Sequence, residues 1–275
     1  AGDADVLAAD DASLDTYSAD ADTLAAISNY EIVRVTDNLE TNLDMADFDS
    51  NHLQLDGVDL GDDRTVSGVT SGATIEIRAA ESVADGSVVV DMTGAQGAGT
   101  ANDTLNVLLN ADLAGADPNY TANFDIAGIN IVNVTAQDRD ADTDPDTNDD
   151  GGEGYVLDLD EPGNGNDANV SQINIDSSVE FSYTSSATAN NLANIDGSDA
   201  TGDLGINIDA FAGTEGVVIA GGSGDDAFVG SDLADVITGG AGDDQITGGT
   251  GADVLTGGSG DNTFVFAADD STEAN

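Results

Sequence analysis

The 275-residue chain carries 55 acidic residues against four arginines, no lysine and one histidine, a formal charge of −51 at neutral pH. A field of that sign excludes nucleic acid and anionic membrane surfaces as partners, and it works against any compact state unless cations or high salt neutralise it. There is no cysteine, so neither a disulfide nor a thiol site is available.

Residues Ala1 to Ser28 are rich in Ala and Asp, with Leu7, Leu14, Leu24 and Ile27 as scattered apolar positions, and are expected to be irregular or weakly helical. From Tyr30 the texture changes to short alternating runs separated by Gly, Asp and Asn. These are EIVRV (31–35), HLQLDGV (52–58), TIEIR (74–78), SVVVDM (87–92) and TLNVLLN (104–110). The texture continues in INIVNVT (129–135), YVLDLD (155–160), SQINIDSSVEFSY (171–183), LGINIDAF (204–211) and GVVIAG (216–221). Strands this short, recurring this often, predict an all-β chain. Periodicity alone leaves an antiparallel sandwich and a parallel solenoid both open. Few aromatics, little proline and an unbroken strand rhythm into the C-terminal repeats favour the solenoid.

Those repeats run from Gly221 to Val265 as five consecutive nonapeptides: GGSGDDAFV, GSDLADVIT, GGAGDDQIT, GGTGADVLT and GGSGDNTFV. Each divides into a six-residue turn ending in Asp or Asn and a three-residue strand with a central apolar residue. Side chains alternate along a strand, so Phe228, Ile237, Ile246, Leu255 and Phe264 share one interior. Two nonapeptides make one coil, which stacks residues eighteen apart at about 4.8 Å. The turns ending at Asp226, Asp244 and Asn262 then lie on one edge, and those ending at Asp235 and Asp253 on the other. Stacked carboxylates at roughly 5 Å repel by about 3 kcal/mol at an effective dielectric near 20. A hard cation with loose oxygen coordination reverses that sign, and calcium suits it better than magnesium, which demands a tight octahedron.

The pattern G-G-x-G-x-D-x-U-x, with U apolar, is identified as the RTX calcium-binding nonapeptide repeat. The resemblance implies a parallel β-solenoid ending in an RTX β-roll with several structural calcium ions. It places ions between turns 226 and 244, 235 and 253, and 244 and 262. The ligands it implies are Gly222, Gly224, Asp226, Asp235, Gly240, Gly242, Asp244, Gly249, Gly251, Asp253, Gly258, Gly260 and Asn262. Ser231 and Leu233, where glycines are usual, and Asn262 in place of Asp are expected to weaken the outer sites.

The organisation expected is an irregular start at 1–29, a β-solenoid over 30–212 with an acidic insertion at 138–154, the roll at 213–266, and the beginning of a further segment at 267–275. The region from Ser28 to Phe211 also resembles bacterial surface-layer proteins that carry RTX repeats. The likeness lies in ISNYEIVRVTDNLETNLDMADF and IAGINIVNVTAQD. It implies a secreted bacterial protein exported by type I secretion to the cell surface, of which this chain is a piece. Self-association into a filament or lattice through the solenoid ends is expected. Contact with cell-surface polysaccharide would run through regions outside these residues. The competing expectation is a folding and export module of a larger secreted enzyme or adhesin.

Asp142, Asp144, Asp146 and Glu153 fall at the spacing of an EF-hand loop, but Thr147 stands where that loop needs Gly and no helix pattern flanks it. A solvated acidic insertion is the favoured reading, with a bound calcium the other. No histidine pair, nucleophile elbow or phosphate loop is present, and no catalytic activity is expected. His52 reads as an ordinary surface residue, and Tyr30, Tyr120, Tyr155 and Tyr183, at strand ends, as structural. No apolar run reaches the 18 residues of a membrane-spanning helix.

Overall fold

The computed structural model describes residues 5–10, 12–14, 30–38, 42–48, 50–57, 64–78, 88–91, 103–110, 119–127, 129–137, 154–159, 170–185, 189 and 191–266. Within them the chain alternates between two sheets. The first strands are β1 (Val6–Ala9), β2 (Ile32–Asn38), β3 (Leu43–Asp44), β4 (His52–Gly57), β5 (Arg64–Ser67) and β6 (Ala73–Ile77). β7 (Val88–Asp91), β8 (Thr104–Leu109), β9 (Asn119–Ala127), β10 (Ile131–Ala136) and β11 (Gly154–Asp158) follow. Next come β12 (Gln172–Ser177), β13 (Glu180–Thr184), β14 (Asn194–Asp196), β15 (Leu204–Asn207) and β16 (Val218–Ala220). The last are β17 (Ala227–Val229), β18 (Val236–Ala241), β19 (Gln245–Thr247), β20 (Val254–Ser259) and β21 (Thr263–Val265).

β1 and the even-numbered strands form one sheet, and the odd-numbered strands from β3 onward form the other. Every pairing is parallel. The molecule is therefore a parallel β-solenoid, two faces to each coil, as the strand rhythm predicts. Within Ala1–Ser28 the described residues add one strand beyond the expectation: Val6–Ala9 pairs with Ile32–Val35, while 12–14 are helical and Leu14 is fully buried in the core. The apolar VLAA run adds one strand at the edge that β2 offers, with its burial alternating along the strand.

One apolar column runs almost the length of the first sheet. Ala73, Leu105, Val132, Ile173, Ile195, Ile219, Ile237 and Leu255 are consecutive register partners, none more than 5% exposed. The chain between partners varies in length while the column does not. Thr74 and Asn106 are partners 32 residues apart and Asn133 and Asn174 are 41 apart, whereas Ala220 and Thr238 are 18 apart. Parallel strands fix only their own register, so the connecting turns are free to lengthen.

The coil narrows toward the C-terminus. β8 and β10 each bury three alternate residues, but β17 and β19 bury one. Outside the broad coils, Asn106, Asn133 and Asn174 form a ladder: Asn133 Nδ2 donates to Asn106 Oδ1 at 2.8 Å, and Asn174 Nδ2 to Asn133 Oδ1 at 2.7 Å. Stacked amides of this kind extend the hydrogen bonding of the backbone along the coil axis. Tyr30, Tyr155 and Tyr183 are buried in the core, and the Tyr155 hydroxyl donates to the Gln137 carbonyl.

Candidate calcium centre

The six-residue turns stack on the two edges in the order that an eighteen-residue coil requires. Asp226 N donates to Asp244 Oδ1 at 3.0 Å, and Asp244 N to Asn262 Oδ1 at 3.0 Å. On the opposite edge Asp235 N donates to Asp253 Oδ1 at 2.9 Å. Each of these side-chain oxygens, two carboxylate and one amide, thus reaches back to the backbone N–H of its counterpart one coil earlier. Asp226, Asp235 and Asp244 are each only 1% exposed.

Glycine at the second and fourth positions of the turn serves close approach. Gly240 and Gly242 have φ of +124° and +132°, a backbone region that side chains rarely enter, and they lie against the carbonyl oxygens of Gly222 and Gly224. Gly249 and Gly251 face Ser231 O and Leu233 O in the same way, and Gly258 and Gly260 face Gly240 O and Gly242 O. In the first coil the arrangement differs. Ser231 occupies a glycine position, and its hydroxyl donates to Asp235 Oδ2 at 2.9 Å while its amide donates to the same oxygen at 2.7 Å. The serine therefore adds a hydrogen-bond donor to the Asp235 carboxylate, a gain that the repeat pattern hides.

The electrostatics point to a missing counter-charge. Burial pushes the Asp226 carboxyl up; the amides of Leu204 and Gly222 hold it partly down, Asp244 and Asp203 raise it further, and it lies at about 7. Burial also raises Asp244, against the Asp226 amide and with help from Asp225 and Asp243. Asp244 Oδ2 is buried and accepts no hydrogen bond. All four arginines precede residue 140, so no basic side chain is encoded in the repeat region or anywhere near it in sequence. Among the described residues no three acidic or histidine side chains converge on one point. The donors present are instead one carboxylate per turn together with backbone carbonyls. That all-oxygen set, with a buried orphan oxygen and no internal cation, fits calcium. Asp226, Asp244 and Asn262 would hold it on one edge and Asp235 and Asp253 on the other, with carbonyls from the glycine-rich turns.

A second ladder, which the repeat consensus does not reveal, stands beside the first on one edge only. Asp225 N donates to Asp203 Oδ1, Asp243 N to Asp225 Oδ1 and Asp261 N to Asp243 Oδ1, each at 2.7 Å. On the other edge the matching residues are Ala234 and Ala252. The EF-hand-like residues Asp142, Asp144, Asp146 and Glu153 lie outside the described residues, as does the acidic insertion around them.

His52 is more than a surface residue. Its Nε2 lies 3.2 Å from Glu76 Oε2, and Gln54 Nε2 donates to the same oxygen at 2.6 Å. Asn110 Nδ2 donates to Glu76 Oε1 at 3.0 Å, and Arg78 Nε sits 3.7 Å away. Burial alone would raise the Glu76 carboxyl, but His52, Asn110, Gln54 and Arg78 outweigh it and hold it at about 2. β4, β6 and the residues just after β6 and β8 supply this cluster, and both Glu76 carboxylate oxygens have partners. It is a structural clasp on the first sheet.

Fold and turns together define a parallel β-solenoid whose last coils are built to take calcium at both edges. Residues 229–264 match the RTX calcium-binding nonapeptide repeat in four copies, and the chain carries an array of that family. Arrays of this kind are typical of calcium-dependent secreted proteins. Neither a curated protein nor a solved structure matches the chain. No helix among the described residues is long and apolar enough to cross a membrane.

Proposed function

We propose that the chain is a structural part of an extracellular protein that calcium both folds and assembles, as a surface-layer or extracellular-polymer subunit without catalytic activity. The observation that carries this reading is the stack of buried and half-buried carboxylates on the two edges of the roll, Asp226 on Asp244 and Asp235 on Asp253, whose mutual repulsion a calcium ion between the turns reverses. A coil stack that a dissolved ion completes is suited to head-to-tail contacts between copies, which propagate into filaments or sheets. Calcium serves twice, since its charge also reduces the repulsion between copies that each carry −51. The turns gather their ligands only when stacked, so metal binding and folding are one event. A chain kept unfolded at low cytoplasmic calcium and folded outside is consistent with type I export.

Negative-stain imaging of the 275-residue chain in about 10 mM calcium, well above loose extracellular affinities, and then in excess chelator tests this, with circular dichroism on both samples. Filaments or sheets that dissolve on chelation are expected. Single particles with full β signal in calcium would overturn the assembly claim and leave a folding and export module of a larger protein.

A further inference from the structure

The coil that precedes the array has the backbone of a calcium turn without its carboxylates. Gly197 N donates to Ala220 O at 2.8 Å, as Gly221 N does to Thr238 O at 2.8 Å one coil later. Ser223 N donates to Ala200 O at 3.0 Å, as Ala241 N does to Gly222 O at 2.9 Å. Leu204 N donates to Asp226 Oδ1 at 2.8 Å, the bond that Asp226 N makes to Asp244. The side chain confirms the equivalence: Leu204 Cδ1 packs against Gly197 where Asp226 Oδ2 packs against Gly221 and Asp244 Oδ2 against Gly239. On the other edge Val217 N donates to Asp235 Oδ1 at 2.7 Å, as Asp235 N does to Asp253.

We infer that Leu204 and Val217 are apolar stand-ins for the metal-binding carboxylate, so that the coil from Gly197 to Ala220 folds without calcium and is the seat on which the array is built. Both side chains are buried, at 2% and 0% exposure, and Leu204 fills against Gly197 by hydrophobic contact the place that a carboxylate fills above it. Burying them carries no charge and demands no ion. Their amides meanwhile point at Asp226 and Asp235, which gives the first two carboxylates of the array a fixed donor. The two residues therefore set where calcium binding begins. The inference is independent of whether the chain assembles.

Hydrogen exchange of the full chain, with calcium and with excess chelator, tests it directly. With calcium at about 100 times its dissociation constant, amides of Gln245, Val254 and Thr263 should exchange about 100-fold faster once it is removed. Amides of Gly197, Gly202 and Val218 should hold their protection. Loss of protection there in step with the array would overturn the inference. Leu204→Asp should bind one more calcium per chain by equilibrium dialysis and make protection at Gly197 and Gly202 depend on calcium. Unchanged stoichiometry with unchanged protection would count against it. Should that variant fail to fold, Leu204→Ala decides. It removes the filler without adding a ligand, so protection at Gly197 and Gly202 should drop equally with and without calcium. Rescue of Leu204→Ala by calcium would overturn the proposal.

Discussion

The broad coils upstream and the narrow coils of the array share one parallel ladder and one apolar column, yet they neutralise buried charge in opposite ways. In the broad coils the buried Glu76 is surrounded by His52, Gln54, Arg78 and Asn110 from the same chain. In the array Asp226 and Asp244 are just as buried and no arginine or lysine follows residue 139. The first region carries its own counter-charges; the second takes them from solution. A solenoid can therefore be made conditional over part of its length without any change of fold.

Removing calcium gives the largest expected separation of the two regions. In excess chelator, limited proteolysis should cut downstream of Ala220 while the sheets before it resist. Uniform cleavage through both regions would erase the contrast.

The next effect is packing. Ile173 and Ile237 belong to the same column, but β12 buries three residues and the array strand buries Ile237 and little else around it. Truncation to Ala costs roughly 2 to 5 kcal/mol in a core. Ile237→Ala should fall near the top of that range and Ile173→Ala near the bottom, by urea unfolding in calcium.

Acidity should move the regions in opposite directions. Asp226 rises from 3.8 to about 7 in the folded, calcium-free state, so folded chains hold a proton that unfolded chains have lost. Its contribution favours folding at low pH and is lost as pH rises from about 4 to about 7. Glu76 is held at about 2 against 4.5, so its contribution is present above 4.5 and is lost as pH falls through 2. In chelator, a drop from pH 8 to pH 5 should raise protection in the array and leave the Glu76 region unchanged, as hydrogen exchange corrected for intrinsic rate will show.

The smallest effect belongs to Arg34, whose Nε donates to Gln54 Oε1 of the clasp at 2.7 Å and lies 3.8 Å from Asp56 Oδ2, with the Arg34 and Asp56 side chains more than a quarter exposed. Arg34→Ala should cost below about 1 kcal/mol in urea unfolding. A larger loss would mean that the clasp acts as one network rather than as separate pairs.

Strand alternation made the long apolar runs legible, and five in-phase copies made the array and its stacking legible. What escaped was short or non-local. β3 has two residues, and β14 has Ile195 as its one buried residue, so neither shows a period. The Glu76 cluster joins residues 22 and 34 positions apart, a distance no spacing rule covers. Leu204 escaped because it stands 22 residues before Asp226, off the eighteen-residue beat, and because an apolar residue there looks like any other strand residue. Ser231 looked like a defect in the repeat because its hydrogen bonds to Asp235 depend on turn geometry.

The unbroken stack from β1 to β20 also has a mechanical meaning. Tension applied along the axis passes through the coils in series, each joined to the next by the same few backbone bonds. A rod of this kind is only as strong as its weakest coil. With its narrowest coils dependent on a dissolved ion, the tensile limit of the rod is set by the composition of the surrounding water.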